Sequence, residues 1–280
     1  MLSINCKSKL INCDSRLVMG IINITNDSFY SHSRMKSTQE AMEQIGMMVK
    51  DGVDIIDIGG QSTRPGSERL TADNEIDKVI PVIKEAVKKF PEILFSIDTY
   101  HAKVAQCAVD NGAAIVNDIS AGSKDDAMLQ TVGSLKVPYI CMHMQGTPEN
   151  MHINPVYNNI SIELLDFFIA KVHECRRFGI ADIIIDPGFG FGKTSKQNLE
   201  LLNKLHVFKI LKLPIMAGLS RKATIYKTLD TTAENALNGT TVLHTLALNN
   251  GADILRVHDV KEAKEVVKLL NTYVAWGATC

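Results

Sequence analysis

The stretch Ile183-Ile-Ile-Asp-Pro-Gly-Phe-Gly-Phe-Gly-Lys193 decides the fold of this chain. Its three isoleucines predict a short strand that is buried on both faces, as in a parallel sheet. Asp186 ends the strand, because Pro187 cannot continue the ladder of hydrogen bonds. Three glycines at alternate positions then allow the backbone to approach a ligand closely. A carboxylate at the end of a buried strand, followed by a glycine loop, is typical of the ligand crevice of an α/β enzyme.

This glycine loop fits neither of two common nucleotide-binding motifs. Gly192-Lys193-Thr194 matches the end of a Walker A loop, but Pro187 stands where the first glycine belongs. The dinucleotide fingerprint G-x-G-x-x-G requires a different glycine spacing. We therefore expect replacement of Lys193 to matter little. Taken alone, the stretch is also compatible with a tight turn beside a structural aspartate.

The composition is that of an ordinary globular protein, with 280 residues of which 45% are hydrophobic and 22% charged. The net charge of −1, with acids and bases mixed along the chain, argues against a nucleic-acid or membrane surface. Six scattered cysteines form no C-x-x-C pair and predict reduced thiols in a cytoplasmic protein. The first nine residues lack the apolar segment of a signal peptide, and no apolar run is long enough to span a membrane.

Eight apolar segments predict eight buried strands. They lie at residues 18–24, 53–58, 93–97, 114–116, 138–142, 183–186, 214–217 and 253–256. An irregular loop is expected from residue 25 to about residue 36, and a capping box, Ser37-Thr-Gln-Glu40, predicts the start of the first helix. Pro81 predicts a kink or a late start in the second helix.

Helical patterns follow every strand. After the first helix, which Gly52 ends, they cover residues 76–87, a segment ending at 111–112, and residues 126–132, 160–178, 201–208, 233–250 and 260–273. Strands that alternate with helices are joined by parallel crossovers, and eight of them close into a TIM barrel. We therefore predict one α/β domain, a (β/α)8 barrel over residues 1–280, with residues 1–17 as an N-terminal capping segment. A doubly wound open sheet is the alternative.

Polar residues collect where the predicted strands end. They are Asn23, Thr63, Arg64, Asp98, Asn117, Asp186, Ser220, Lys222, Arg256 and His258. In a barrel all of these ends lie at one mouth, where active sites are built. A structural hydrogen bond is the simpler explanation for any one of them. Together they indicate a ligand site, because burying so many polar groups at one mouth costs desolvation energy.

The residue types at these ends indicate what the ligand is. Asp98, Asn117 and Asp186 suit the edge of a flat heterocycle that is rich in N–H donors and ring nitrogens. Arg64, Arg256 and His258 suit an anion. The histidines show no H-E-x-x-H or other zinc spacing, and no G-x-S-x-G motif is present, which argues against a zinc site or a serine nucleophile.

At these residues the sequence resembles the dihydropteroate synthases, a family of pterin-binding barrels. The matching motifs span nearly the whole chain: Met19-Gly-Ile-Ile-Asn-Ile-Thr-Asn-Asp-Ser-Phe29, Gly59-Gly-Gln-Ser-Thr-Arg-Pro-Gly66, Ser96-Ile-Asp-Thr99, Asn117-Asp-Ile119, Met142-His-Met-Gln-Gly146, Asp186-Pro-Gly-Phe-Gly-Phe-Gly-Lys193, Ser220-Arg-Lys222 and Arg256-Val-His-Asp259. The combination of Ser-Thr-Arg-Pro-Gly with Ser-Arg-Lys is specific to this family among the pterin-binding barrels.

The resemblance implies a homodimeric TIM-barrel enzyme that uses Mg²⁺ and is the target of sulfonamides. It implies condensation of 6-hydroxymethyl-7,8-dihydropterin diphosphate with 4-aminobenzoate, with release of pyrophosphate. The pterin is assigned to Asp98, Asn117, Ile119, Met142, Asp186 and Lys222. The diphosphate is assigned to Asn23, Arg256 and His258, with Mg²⁺ near Asn23. The aminobenzoate is assigned to Thr63, Arg64, Pro65, Phe191, Ser220 and Lys222. Catalysis is expected to depend most on Lys222, Arg256 and Asp98.

Three positions depart from the family pattern. Asn26 replaces the usual proline, Tyr30-Ser-His-Ser-Arg34 lacks the usual Asp-Gly-Gly, and Gln61 stands for the usual glutamate. Two rival functions fit the same barrel, namely a pterin-dependent methyltransferase and a pterin-binding protein without turnover. Release of pyrophosphate from the two substrates distinguishes all three. Because Thr63, Arg64 and Pro65 lie on a glycine-flanked loop beside the long first loop from Thr25 to Lys36, we also expect aminobenzoate to bind well only after pyrophosphate or the pterin diphosphate.

Overall fold

Ten strands are present in the computed structural model, which describes residues 2–7, 9–24, 31–61, 69–146, 151 and 155–277. Two of them, β1 (Ser3–Cys6) and β2 (Lys9–Asn12), form a small antiparallel hairpin. The other eight are β3 (Leu17–Asn23), β4 (Ile55–Gly59), β5 (Leu94–Asp98), β6 (Ile115–Asp118), β7 (Tyr139–Met142), β8 (Ile183–Asp186), β9 (Met216–Ala217) and β10 (Ile254–Val257).

These eight strands form one parallel sheet that closes on itself. Their order is β8-β7-β6-β5-β4-β3-β10-β9, and a parallel bridge between Ile185 and Ile215 joins the two ends. The predicted TIM barrel is therefore confirmed, and the open doubly wound sheet is wrong. Closure leaves no sheet edge exposed among these strands.

Helices follow the strands on the outside of the barrel. They are α1 (Ser31–Lys50), α2 (Ala72–Lys89), α3 (Ala102–Asp110), α4 (Met128–Leu135), α5 (Ile160–Arg177), α6 (Ser195–Asn203), α7 (Ala223–Thr228), α8 (Leu237–Asn249) and α9 (Val260–Gly277). Short 3-10 helices occupy Cys13–Ser15 and Leu205–Leu211. Within the described ranges, none of these helices has the length and apolar character needed to cross a membrane.

The strand residues alternate between an outer and an inner core. Outward-facing residues such as Ile56, Val116 and Ile185 pack against the helices. Inward-facing residues form an apolar floor inside the barrel, where they pack against the hairpin at its amino end. This floor consists of Leu17, Met19, Ile55, Ala114, Ile115, Ile140, Ile184, Met216 and Ile254, with Ile4, Cys6 and Cys13 of the N-terminal segment. The hairpin therefore plugs the end of the barrel opposite the mouth.

Two expectations about helix starts are wrong. The first helix begins at Ser31, so the supposed capping box at 37–40 lies inside α1 and residues 31–36 are helical rather than irregular. The second helix begins at Ala72, capped by the side chain of Thr71, well before Pro81. Pro81 has no N–H to donate to the carbonyl of Asp77, and both residues are exposed. Helix α2 nevertheless continues through the proline to Lys89.

The region around the seventh barrel strand differs from the prediction as well. The strand expected over 214–217 contributes only Met216–Ala217 to the sheet. The helix expected over 233–250 begins at Leu237, and the short helix α7 that precedes it was not predicted. The segment is short and carries few periodic apolar residues, so its pattern gave no clear signal.

Candidate active site

The strand period of two places a second layer of side chains above the apolar floor. In β4, β6, β7, β8 and β10, the residue two positions after the floor isoleucine faces the same side of the strand, and all of these residues but one are polar. They are Asp57, Asn117, Met142, Asp186 and Arg256, and we call them the mouth layer. Asp98 occupies the corresponding inward position of β5, paired in register with Asn117 and Gly59.

Arg256 is the centre of this layer. Its Nε donates to Asp57 at 2.7 Å, and its Nη2 donates to Asp98 at 2.6 Å. Asn117 donates from Nδ2 to the same Asp57 oxygen at 2.8 Å. The sequence analysis missed Asp57, which orients both Arg256 and Asn117. The available signal was an acid in the middle of an otherwise apolar buried strand.

Two acids of the mouth, Asp98 and Asp186, are costly to ionise. Burial raises the pKa of Asp98 to about 7; Arg256 opposes the shift, and the carboxylates of Asp57, Asp118 and Asp186 add to it. Neighbouring acids and a low-dielectric site both favour the neutral carboxyl group. A ligand that brings N–H donors or positive charge to this mouth therefore relieves an unfavourable arrangement.

The glycine loop after β8 is held by Asp186 and by close backbone contact. Asp186 accepts from the amide of Gly188 at 2.8 Å, and burial raises its pKa while Lys222 opposes that shift. Gly188 has a φ of +68°, and a Cβ there would lie 1.9 Å from the carbonyl oxygen of His143. Only glycine fits this position, so the loop after β8 is pressed against the end of β7.

Lys222 reaches the same loop from the segment after β9. Its amino group donates to the carbonyl of Phe189 and lies 4.7 Å from the centre of the Phe191 ring. Burial lowers the pKa of Lys222 to about 8, and Asp186 opposes the shift. Lys222 and Phe191, both predicted site residues, are therefore in direct contact.

Ser220 and His258 meet on the other side of Lys222. The Ser220 hydroxyl lies 3.0 Å from Nδ1 of His258 and accepts from the His258 amide at 3.2 Å. Arg221 braces this contact, because its guanidinium donates to both oxygens of Asp259 at 2.9 and 2.8 Å. Partial burial and the nearby Arg256 lower the pKa of His258 to about 4. The imidazole is therefore neutral at pH 7.

Ile119 and Met142, the predicted apolar walls, are both buried. The loop that carries Ile119 is anchored by Asp118, another residue the sequence analysis did not single out. Asp118 accepts from the amides of Ser120 and Gly122 at 2.7 and 2.8 Å, and from the hydroxyl of Tyr139 at 2.7 Å. These bonds fix the backbone directly after Asn117.

Asn23 lies exposed at the end of β3, beside the mouth. A Cβ placed on its sheet neighbour Gly59 would lie 3.7 Å from the Asn23 amide oxygen. Gln61 accepts from the amide of Leu70 at 2.8 Å and so joins the two ends of the segment between them. The predicted site residues Thr63, Arg64 and Pro65, and the altered positions Asn26 and Tyr30, lie outside the described residues.

Lys193 occupies a position that the sequence analysis did not foresee. It is buried, and its ammonium contacts His143, Gly188 and Phe191 around the glycine loop. The expectation that replacement of Lys193 matters little stays a prediction.

The chain is similar to known proteins over almost its whole length. Residues 19–258 match the family described as pterin binding enzyme. The dihydropteroate synthase of Escherichia coli K12 is 37% identical over 255 residues, which cover 90% of each chain. That of Synechocystis is 41% identical over 255 residues, covering 90% of this chain and 88% of the relative.

Solved structures of dihydropteroate synthases also superpose closely on this chain. The Yersinia pestis dihydropteroate synthase with a sulfonamide drug superposes with a TM-score of 0.91 at 32% identity, covering 98% of this chain and 99% of the other. The Xanthomonas albilineans enzyme with 4-aminobenzoic acid gives a TM-score of 0.90 at 33% identity, with 98% of each chain covered. The same enzyme with 7,8-dihydropteroate gives 0.87 at 32% identity, covering 98% and 99%.

Proposed function

This chain belongs to the dihydropteroate synthases of the pterin-binding enzyme family, and from this membership we propose how its own residues carry out the reaction. It condenses 6-hydroxymethyl-7,8-dihydropterin diphosphate with 4-aminobenzoate to 7,8-dihydropteroate and pyrophosphate, a step of folate biosynthesis that sulfonamides target. The observation that carries our assignment of roles is the mouth layer. Its acids and amide surround one guanidinium at the barrel opening, beside Lys222.

We propose that the pterin edge binds to Asp98, Asn117 and Asp186. Asn117 donates to Asp57 through its Nδ2, which turns its amide oxygen into an acceptor for a ring N–H. Asp186 uses one oxygen for Gly188, and its second oxygen accepts from the pterin amino group. Ile119 and Met142 pack against the ring faces, and Lys222 donates to a ring acceptor from the opposite side.

The diphosphate binds, in our proposal, to Arg256 and His258. The contacts of Arg256 with Asp57 and Asp98 use Nε and Nη2, so Nη1 is the donor that we assign to the leaving group. Part of the His258 side chain reaches solvent at the rim, where its imidazole can donate one hydrogen bond to a phosphate oxygen. Both residues stabilise negative charge where it develops.

We propose that Asn23 and oxygens of the substrate diphosphate hold one Mg²⁺. An exposed amide oxygen at the mouth fits this ion, because Mg²⁺ prefers hard oxygen ligands and is usually shared between one or two protein groups and substrate phosphates. When bound, it supplies positive charge that stabilises the departing diphosphate.

We propose that 4-aminobenzoate lies between Phe191, Ser220 and Lys222, with Thr63, Arg64 and Pro65 completing its pocket. Phe191 and Lys222 are already in contact, so they form one wall with an apolar face and a cation. The buried Ser220 hydroxyl adds a hydrogen-bonding group beside them.

The chemistry then follows from these positions. The aniline nitrogen forms a bond to the exocyclic methylene carbon of the pterin, the bond from that carbon to the diphosphate oxygen breaks, and the nitrogen loses a proton to water. Asp98 and Asp186 stabilise positive charge that develops on the pterin, while Arg256 and His258 stabilise the leaving group. No covalent intermediate with the protein is needed.

Release of pyrophosphate from the two substrates tests the reaction. We expect pyrophosphate and 7,8-dihydropteroate to form in equal amounts only when both substrates are present. Pterin binding without pyrophosphate release would contradict the assignment and favour a binding protein. Methyl transfer from a methylated pterin would favour the methyltransferase.

We also propose a homodimer, formed through the face of α8 and the end of α9. The thirteen residues of α8 include no Asp, Glu, Lys or Arg. On its outer side Val242 is 52% exposed and Leu246 44% exposed, and at the end of the neighbouring α9 Tyr273 and Trp276 are 74% and 77% exposed. An uncharged apolar surface of this kind is typical of a subunit interface, and a second copy of the chain is the partner that the resemblance implies.

We place the protein in the cytoplasm. The five cysteines of the described part, Cys6, Cys13, Cys107, Cys141 and Cys175, are free thiols. Free thiols in a protein of this size suit a reducing compartment.

A further inference from the structure

Lys193 is a buried cation that the assigned roles do not use. The residue is only 5% exposed. Its ammonium lies 3.1 Å from Nδ1 of His143 and donates to the carbonyl oxygens of Gly188 and Phe191, each at 3.0 Å. Its three donors therefore reach both ends of the glycine loop and the residue after β7.

Holding the Lys193 ammonium in this buried position costs desolvation energy. Burial lowers the pKa of Lys193 to about 7, and the nearby Asp186 opposes the shift. Burial and the charge of Lys193 lower the pKa of His143 to about 3, so its imidazole is neutral and can accept the hydrogen bond at Nδ1. An apolar side chain would fill the same space without the desolvation cost. What the lysine adds is a set of directed bonds to the loop.

The glycine loop carries Phe189 and Phe191, which both contact Lys222. The Phe189 carbonyl accepts from Lys222, and the Phe191 ring lies under the Lys222 ammonium. A Cβ on Gly190 would lie 3.1 Å from the side chain of Lys222. Any shift of this loop therefore moves the Phe191 ring relative to the amino group of Lys222, whose own backbone belongs to the segment after β9.

The loop is fixed on its other side by the segment after β7. A Cβ on Gly192 would lie 2.5 Å from the backbone oxygen of Gln145, which leaves no space for the two segments to approach further. Lys193 bonds across this same contact, to His143. In the part of the chain that the structure describes, its side chain joins the end of β7 to the glycine loop by hydrogen bonds.

We propose that Lys193 is a positioning residue for the aminobenzoate half of the site. It holds the glycine loop against His143 so that Phe191 and Lys222 form one rigid wall. The proposal rests on the aminobenzoate role that we assigned to Phe191 and Lys222. The main pterin contacts, Asp98, Asn117 and Asp186, sit on strand ends that hydrogen bonds of the sheet fix independently.

Lys193→Met tests this role, because methionine keeps most of the volume and removes all three donors. We expect the KM for 4-aminobenzoate to rise about tenfold or more, while the Kd for 6-hydroxymethylpterin changes by less than about threefold. Lys193→Gln keeps a polar group with two donors and should recover part of the loss. Lys204→Met, at a half-buried lysine paired with Glu200 of α6, is the matched control and should change neither constant.

Two further variants, Lys193→Gln and Phe191→Ala, distinguish failure of the proposal from failure of folding or of the assigned pocket. An equal change in both constants for Lys193→Met, or no change in either, overturns the proposal. If Lys193→Met does not fold, the same split between substrates in Lys193→Gln supports the proposal, and an equal loss for both substrates overturns it. Phe191→Ala tests the premise. If it leaves the aminobenzoate KM unchanged, the assigned pocket is wrong and the inference falls with it; if it raises that KM while Lys193→Met does not, the inference alone is wrong.

Discussion

At the residue scale, the contacts of Asp186 lead to the sharpest test of the pterin pocket. In Asp186→Asn, the amide oxygen can still accept from Gly188, but its NH₂ group would face the N–H donors of the pterin. We expect a loss of about 1–3 kcal/mol of pterin binding free energy with the fold intact. Titration calorimetry with 6-hydroxymethylpterin measures this, with the exposed Asp166→Asn as the control. Near-normal affinity in Asp186→Asn would reject the assigned role.

Lys222 is expected to affect both substrates, because it lies between the acid of the pterin site and the ring of Phe191. Lys222→Ala removes a buried cation from both, so the KM values for pterin diphosphate and for 4-aminobenzoate should each rise about tenfold or more. Steady-state kinetics with one substrate varied at a time gives the two values. Lys227→Ala, at an exposed lysine of α7, should be neutral. A rise in only one KM would show that Lys222 serves one substrate.

The sequence pattern alone located most of the residues at the mouth, but it did not identify the side chains with which they form hydrogen bonds. Asp98 and Arg256 were expected at strand ends, and the structure joins them across 158 positions of sequence. Asp57 was missed because its role arises from a contact with Arg256 on a distant strand, which no local spacing records. The contacts of Lys193 could not be foreseen for the same reason, since rejecting one phosphate motif says nothing about the packing of a side chain. The assigned roles themselves remain predictions.

At the scale of elements, sequence patterns located most helices and strands but misplaced some ends. The capping box at 37–40 is a correct local signal that the longer α1 overrides, whereas the box formed by Thr194 and Gln197 does begin α6. Capping contributes only about 1 kcal/mol, so a capping signal alone does not decide where a helix begins. Boundaries are therefore the part of an element that tertiary packing most easily changes.

Glu75 makes the stability of α2 dependent on pH. The carboxyl group is fully buried in the first turn, where it accepts from the Thr99 hydroxyl at 3.1 Å. Burial raises its pKa from 4.5 to about 7, with the Thr99 bond opposing the shift. The folded state therefore holds this proton more tightly than the unfolded chain, so the contribution is complete below pH 4.5 and is lost as the pH rises through about 7.

Glu75→Gln should remove that dependence. We expect the unfolding free energy of the original protein to fall, relative to that of the variant, by about 3 kcal/mol between pH 4.5 and pH 8. Urea denaturation at both pH values measures the difference, and Glu85→Gln on the exposed face of α2 provides the control. Parallel pH profiles for the original protein and Glu75→Gln would contradict the assignment of this proton to Glu75.

The uncharged face of α8 predicts how the subunits associate. Val242→Glu combined with Leu246→Glu places two charges on a surface that we propose is buried in a dimer, where their desolvation is unfavourable. Light scattering after gel filtration should give twice 30.8 kDa for the original protein and 30.8 kDa for the double variant. Ile169→Glu, on the exposed side of α5, should remain dimeric. A monomeric original protein, or a double variant that stays dimeric, would refute this interface.

At the scale of the whole molecule, the alternation of outward-facing and inward-facing strand residues explains both the packing of the core and the position of the site. The barrel strands send apolar residues outward to the helices and inward to the floor, and β4, β5, β6, β8 and β10 add a polar residue at the mouth. Eight apolar segments alternating with helical patterns, and polar residues at the strand ends, were visible in the sequence, which is why the barrel and the position of its site could be predicted. The closure between Ile185 and Ile215 depends on the geometry of eight strands together and could not be deduced from any one of them.

The same arrangement predicts that the two substrates bind in order. Ser220, on the aminobenzoate side, shares hydrogen bonds with His258, on the diphosphate side. Asn23 neighbours Gly59, from which the chain continues to Thr63, Arg64 and Pro65. A diphosphate with Mg²⁺ at Asn23, Arg256 and His258 would therefore fix the groups that border the second pocket before aminobenzoate arrives. Ordering completed by the first ligand lowers the cost of binding the second.

We accordingly expect 4-aminobenzoate to bind more tightly when Mg²⁺-pyrophosphate is present. A coupling free energy of about 1–3 kcal/mol corresponds to a Kd lowered by roughly 5- to 150-fold. Titration calorimetry with and without Mg²⁺-pyrophosphate measures the change, and Mg²⁺ with sulfate controls for ionic strength. Because coupling is reciprocal, aminobenzoate must tighten pyrophosphate binding by the same factor. Equal Kd values in both conditions would refute the ordered scheme, and the altered segment from Asn26 to Arg34 would then be the first place to seek the cause.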